Sequence, residues 1–92
     1  MKESDLIKKI KVYLNGIPNL FFWKEHGGQY GTAGIPDIIV CYKGKFIGLE
    51  AKVGNNTATN LQEMTIREIR QAGGYAAVVR SVEDVKEILD KF

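Results

Sequence analysis

At 92 residues the chain makes one domain, short enough to bury only roughly 60–65% of the surface its unfolded form exposes, so a partner subunit would add stability. Its composition, 45% hydrophobic and 26% charged with ten Gly and two Pro, excludes a disordered chain, and a net charge of +2 lacks the strongly basic balance of a protein that announces a polyanionic partner. A near-neutral sum can still hide two opposed patches. The single Cys excludes a disulfide framework and a zinc cluster. The amino terminus lacks the pattern of a signal peptide and no apolar run has the length of a membrane span, so an intracellular, cytoplasmic protein without a membrane partner is expected.

The segment "KESDLIKKIKVYLNG" spaces Leu6, Ile7, Ile10, Tyr13 and Leu14 as one face of a helix, and Gly16 stands where it would stop. "NLFFWK" is short, aromatic and bounded by turn residues, which predicts a strand. "EHGGQYGTAGIP" follows, with four Gly between Gly27 and Pro36, a loop long enough to suggest function. "DIIVCY" and "KFIGLEAKV" flank Lys43-Gly44 as a hairpin, and because both runs are apolar on both faces they predict a sheet covered on each side. After the polar "GNNTATN", the stretch "LQEMTIREIRQA" repeats Leu61, Met64, Ile66, Ile69 and Ala72 before Gly73-Gly74, a second helix. "YAAVVR" predicts a last strand, and "SVEDVKEILDKF" a last helix opened by Ser81 and Asp84 in capping-box spacing. The expected fold is α/β, a mixed sheet flanked by helices in the order α-β-β-β-α-β-α, within a single domain spanning residues 1–92.

A two-residue turn at Lys43-Gly44 sets Tyr42 opposite Lys45 and, counting outward, Asp37 opposite Glu50. Directly opposed side chains have Cβ atoms roughly 4.5–5.5 Å apart, and like charges there repel. Lys52 follows on the same face, roughly 6.6 Å along the strand. A turn at Gly44-Lys45 would pair Asp37 with Lys52 instead without changing faces, whereas an unbulged three-residue loop would send Asp37 to the other side. Two carboxylates in an apolar layer need a shared proton or a cation, and hard oxygen ligands with positions open to water and phosphate describe a Mg²⁺ or Mn²⁺ site. Such an ion polarises a phosphodiester while a nearby ammonium neutralises charge building on the phosphorane. These are the parts of a metal-dependent phosphodiesterase.

Pro36-Asp37 followed by Glu50-Ala51-Lys52 resembles the PD-(D/E)XK nuclease motif, whose restriction-endonuclease-like fold this order would match. Within that superfamily the chain resembles a VRR-NUC domain, the virus-type replication-repair nuclease, through an early helix with a Glu, "GIPDIIV", "GLEAK", a helix with a Gln, and "AGGYAAVV". The likeness runs from Glu3 to about Val85. It implies Asp37, Glu50 and the Ala51 backbone carbonyl as ligands of Mg²⁺ or Mn²⁺, Lys52 as the catalytic cation, and Glu3 and Gln62 as further catalytic-site residues, with Glu3 a possible ligand. The positions agree, since Glu3 shares the inward stripe of Leu6 and Ile7, and Gln62 that of Ile66 and Ile69. Short stand-alone members look like phage homodimers that act on branched DNA in the host cytoplasm, so the resemblance implies an endonuclease, a resolvase of four-way (Holliday) junctions. A flap nuclease, another structure-specific nuclease or an RNase on the same scaffold, and a non-catalytic DNA-binding module, are the rivals.

Plainer roles exist for most of these residues. Asp37 after Pro36 can close a turn, Glu50 and Lys52 can form an ion pair, Glu3 can favour the positive end of a helix, and Gln62 is a good helix former. Cys41 inside an apolar strand is expected in the core. The loop lacks the Gly-Lys-Ser/Thr ending of a P-loop, so no nucleotide cofactor is expected. Gln29, Tyr30 and Thr32, with His26 beside them, are instead candidate contacts to a DNA backbone, and Lys24, Lys43, Lys45, Arg67 and Arg70 are further cations for phosphate.

Overall fold

The computed structural model describes residues 1–26 and 33–92, and its elements run α1 (Glu3–Asn15), β1 (Leu20–Lys24), β2 (Ile38–Tyr42), β3 (Lys45–Ala51), α2 (Asn60–Gln71), β4 (Tyr75–Val79) and α3 (Val82–Leu89). The order is the one the sequence predicts. The four strands form one sheet in the order β1-β2-β3-β4, with β1, β2 and β3 antiparallel in succession and β4 parallel to β3. A parallel pair needs a crossover, and α2 supplies it.

Hairpin register follows from the turn. Tyr42 pairs with Lys45, Val40 with Ile47 and Ile38 with Leu49, leaving Lys43 and Gly44 as the two turn residues. Both are left-handed, with φ of 53° and 75°, as the turn that matches strand twist requires. The Lys43 ammonium donates to the Phe92 carbonyl at 3.0 Å, which helps hold a conformation that a non-glycine residue adopts at some cost.

One face of the sheet is the core. Ile38, Val40, Ile47, Leu49, Ala51 and Val79 meet Leu6, Ile7, Ile10 and Leu14 of α1 and Val85, Ile88 and Leu89 of α3, all buried. Period-two alternation turns Phe21, Trp23, Asp37, Ile39, Cys41, Phe46, Gly48 and Glu50 to the opposite face. There α2 packs on β4, and Pro36 seats over Gly48 so closely that a Cβ on Gly48 would lie 2.8 Å from the Pro36 Cγ.

That second face is only partly covered, against the expectation of a sheet clothed on both sides. Phe21, Trp23 and Phe46 remain 66%, 45% and 44% exposed, and Cys41, between Phe21 and Phe46 in the register, is exposed rather than in the core. The physical reason is that α2 packs against β4 while β1 is the opposite edge, so among the described residues the one helix on this face leaves the β1–β2 side open. Several expected phosphate cations are already engaged. Lys24, Lys45 and Arg70 donate to the carbonyls of Glu25, Gly73 and Ala76, while Arg67 stays exposed.

Because Pro36 delivers Asp37 to its place, Gly48→Val should be costly: overpacking of this kind destabilises by about 1–3 kcal/mol. A denaturant titration checks this, with a midpoint below that of the unchanged protein as the expected outcome.

Candidate active site

Asp37 enters from Pro36 just before β2. Its carbonyl accepts from the Glu25 N–H at 2.8 Å, which ties it to the end of β1, and its Oδ2 accepts from the Ala51 N–H at 2.9 Å, which ties it across the hairpin to β3. Counting outward from Ile38–Leu49, its cross-strand neighbour is Glu50, only 2% exposed. The Glu50 Oε2 accepts a long hydrogen bond of 3.4 Å from the Gln62 Nε2. Its Oε1 is buried with no hydrogen-bond partner among the described residues, an uncommon and costly condition for a carboxylate oxygen.

These surroundings push the Glu50 carboxyl up to about 8. Burial is the largest cause, followed by the closeness and charge of the Asp37 carboxylate; the Lys52 ammonium opposes the rise, and the Glu3 charge adds to it. Lys52 itself is 8% exposed. Its backbone N–H donates to the Val79 carbonyl at 3.1 Å, toward β4, so alternation turns the Ala51 peptide groups the other way, toward Asp37. The Ala51 carbonyl thus lies on the side of the hairpin that carries the Asp37 contact.

Gln62 reaches Glu50 from the start of α2. Thr59 caps that helix: the Gln62 N–H donates to the Thr59 Oγ1 at 3.2 Å, and the Thr59 N–H donates to the Gln62 Oε1 at 2.9 Å. This reciprocal box occupies the amide oxygen, so the NH₂ group is the end left to face Glu50. The sequence reading missed Thr59, although its Thr-x-x-Gln spacing is the signal of such a cap. Glu3, in the first turn of α1, accepts from the Asn56 Nδ2 at 3.2 Å on its Oε2. Asn56 is a second residue that sequence reasoning passed over, with no motif to mark it.

The structure therefore brings Asp37, Glu50, Lys52 and Gln62 together and sets Glu3 near enough for its charge to act on Glu50. His26 is exposed at the end of β1; Gln29, Tyr30 and Thr32 lie outside the described residues. Among the described residues, no three His, Cys, Asp or Glu side chains are close enough together to hold one metal ion. Two carboxylates and a backbone carbonyl nevertheless suit Mg²⁺, which is held through one or two carboxylates and keeps its other positions for water and substrate phosphates. The Glu50 Oε1 would be a ready ligand for such an ion.

A groove of about 870 Å³ between α2, β4 and α3 is lined by Arg67, Arg70, Arg80 and Lys91 but by none of Asp37, Glu50 and Lys52. Its cations are largely spent on the fold. Arg70 and Arg80 serve carbonyls, and Lys91 donates to the Tyr75 hydroxyl. The buried Glu50 carboxylate lies at the hairpin, outside this groove.

A solved structure described as "VRR_NUC domain" superposes on this chain with a TM-score of 0.77, covering 98% of this chain and 96% of that one at 22% identity. The chain has the VRR_NUC fold. No family sequence model matches it, and no curated protein does. Within the VRR_NUC fold the α-β-β-β-α-β-α order and the mixed sheet are those observed here.

Protonation and stability are linked at Glu50. A folded value of about 8 against 4.5 means that, between those values, the folded chain holds a proton the unfolded chain has released. The contribution to stability is full below about 4.5 and is lost as pH rises through about 8. In chelator, the melting temperature of the wild type should fall between pH 5 and 8 relative to that of Glu50→Gln, and added Mg²⁺ or Mn²⁺ should recover more of it at pH 8 than at pH 5. Melting curves across that range read the effect directly.

Proposed function

We propose that the chain is a Mg²⁺- or Mn²⁺-dependent nuclease that hydrolyses phosphodiester bonds in DNA. The observation that carries this reading is the buried Glu50 carboxylate, whose Oε1 has no hydrogen-bond partner among the described residues, set against Asp37 beside a buried lysine. An acid pair offset by a single lysine is costly to a fold kept only for binding, which disfavours the non-catalytic alternative. Asp37, Glu50 and the Ala51 carbonyl would hold the ion. Bound there, it supplies Lewis-acid polarisation of the phosphodiester and a water of lowered pKa.

The remaining chemistry belongs to the chain. Lys52 lies on the carboxylate face, where its ammonium neutralises charge accumulating on the attacked phosphate and helps orient the attacking water. Gln62 donates to Glu50 and keeps that carboxylate's Oε2 in place. Glu3 adds negative charge at the margin of the site.

We place the preferred substrate among branched DNAs such as four-way junctions, in the cytoplasm of a cell or of a phage's host, and infer a homodimer. Two-fold symmetry would let paired sites cut two strands of a symmetric junction. Support for the dimer comes from the open sheet face: Phe21, Trp23 and Phe46 alone leave about 300 Å² of aromatic surface exposed. Described Lys or Arg residues do not interrupt those rows, so the patch suits an apolar protein surface better than a phosphate backbone.

Labelled four-way junction, flap and linear duplex, incubated with Mn²⁺ or Mg²⁺, test the reading. Wild type should cut the junction, and Asp37→Asn and Lys52→Ala should each lower the rate about 100-fold or more. Cutting that survives both substitutions or persists in chelator contradicts the mechanism, and junction binding without cutting under either metal favours the binding module. Sedimentation should give a dimer for the wild type and a folded monomer for Phe21→Glu combined with Phe46→Glu.

A further inference from the structure

Arg80 is exposed, follows β4 and belongs to none of the catalytic groups, yet it makes the densest set of contacts among the described arginines. Its Nη1 donates to the Gly54 carbonyl at 3.2 Å and its Nη2 to the Asn56 carbonyl at 2.8 Å, so one guanidinium forks onto two carbonyls of the turn that follows Lys52. The turn is closed by the Asn56 N–H donating to the Val53 carbonyl at 3.1 Å, with Gly54 at φ 56°.

Arg80 is itself fixed. Its backbone N–H donates to the Asp84 Oδ2 at 2.8 Å, while the Asp84 N–H donates to the Ser81 Oγ at 3.1 Å at the cap of α3. Asp84 thus turns its carboxylate to the residue before the cap, not to Ser81 as capping-box spacing suggests. From the turn, the Asn56 Nδ2 donates to the Glu3 Oε2. The chain of contacts runs from the α3 cap through Arg80 and Asn56 to Glu3, whose charge reaches Glu50.

We propose that Asn56 and Arg80 are positioning residues for the cation site: Arg80 fixes the turn at residues 53–56, and Asn56 holds the Glu3 carboxylate beside the Asp37–Glu50 pair. This rests on the reading of that pair as the place of the ion. One hydrogen bond takes up one Glu3 oxygen and limits how the side chain can swing. Glu3 serves there as an outer acid, in keeping with the lack of a three-acid cluster among the described residues. Outer partners of metal ligands matter because they orient the inner ones, and their removal costs about 10–100-fold in metal affinity. Arginine suits the task because its planar fork meets two carbonyls at once, which a lysine ammonium does not do in the same fixed geometry.

The test is Mn²⁺ binding to the DNA-free protein, read by the loss of the free-ion electron paramagnetic resonance signal, with melting curves on every variant. Asn56→Ala, a change at an exposed turn, should weaken Mn²⁺ about 10-fold while the protein stays folded, and Arg80→Ala should do the same. Arg80→Lys should restore little of the loss. In the Glu3→Gln background, Asn56→Ala should add almost nothing, because residues acting through one group are not additive. Unchanged affinity in Asn56→Ala, or a full 10-fold loss that persists without the Glu3 carboxylate, overturns the proposal while leaving the site itself standing. A wild type that binds no Mn²⁺ removes both.

Discussion

The structure turns on two carboxylates that the hairpin forces together. Asp37 and Glu50 are thirteen positions apart in the chain and neighbours in space, because Lys43 and Gly44 make a two-residue turn and the register counts outward from there. Burial raises the Glu50 carboxyl to about 8, and one of its oxygens has no hydrogen-bond partner among the described residues. A fold stabilised only by packing would do better with an apolar side chain at that position. The arrangement makes physical sense as a site that is satisfied when it holds a cation.

Each remaining element contributes one constraint to that pair. The end of β1 holds the Asp37 carbonyl through the Glu25 N–H, Gly48 leaves room for Pro36 to deliver Asp37, and β4 fixes the backbone of Lys52. The Thr59 cap of α2 orients Gln62, and α1 carries Glu3 to the margin through its first turn. Packing α1 and α3 on one face of the sheet leaves the other to carry the acids. The exposed aromatic rows share that second face with the acids, so a partner docking there would border the site.

Most of this architecture was legible in the sequence because it depends on local patterns. The Lys-Gly turn narrows the register to two alternatives, of which the structure takes the one at Lys43-Gly44, period-two alternation puts Asp37, Glu50 and Lys52 in phase in either, and the 3.6-residue spacing of Leu6, Ile10 and Leu14 marks the core face of α1. What escaped depends on coverage and on long-range contacts. Cys41 sits in an apolar run that reads the same whether a helix covers its face or leaves it open, and only the position of α2 decides. The pairings of Arg80 with residues 54 and 56, and of Asn56 with Glu3, join positions 24 to 53 apart, and no composition or spacing signals them. Thr59 differs: its cap with Gln62 is readable from a four-residue spacing.

The most direct measurement of the central claim is anomalous scattering from crystals of the protein grown with Mn²⁺. The account predicts a peak between the carboxylates of Asp37 and Glu50, on the side of the Ala51 carbonyl, that disappears in Asp37→Asn. A protein that cuts DNA with Mn²⁺ while its crystals place the ion away from those two carboxylates would contradict it.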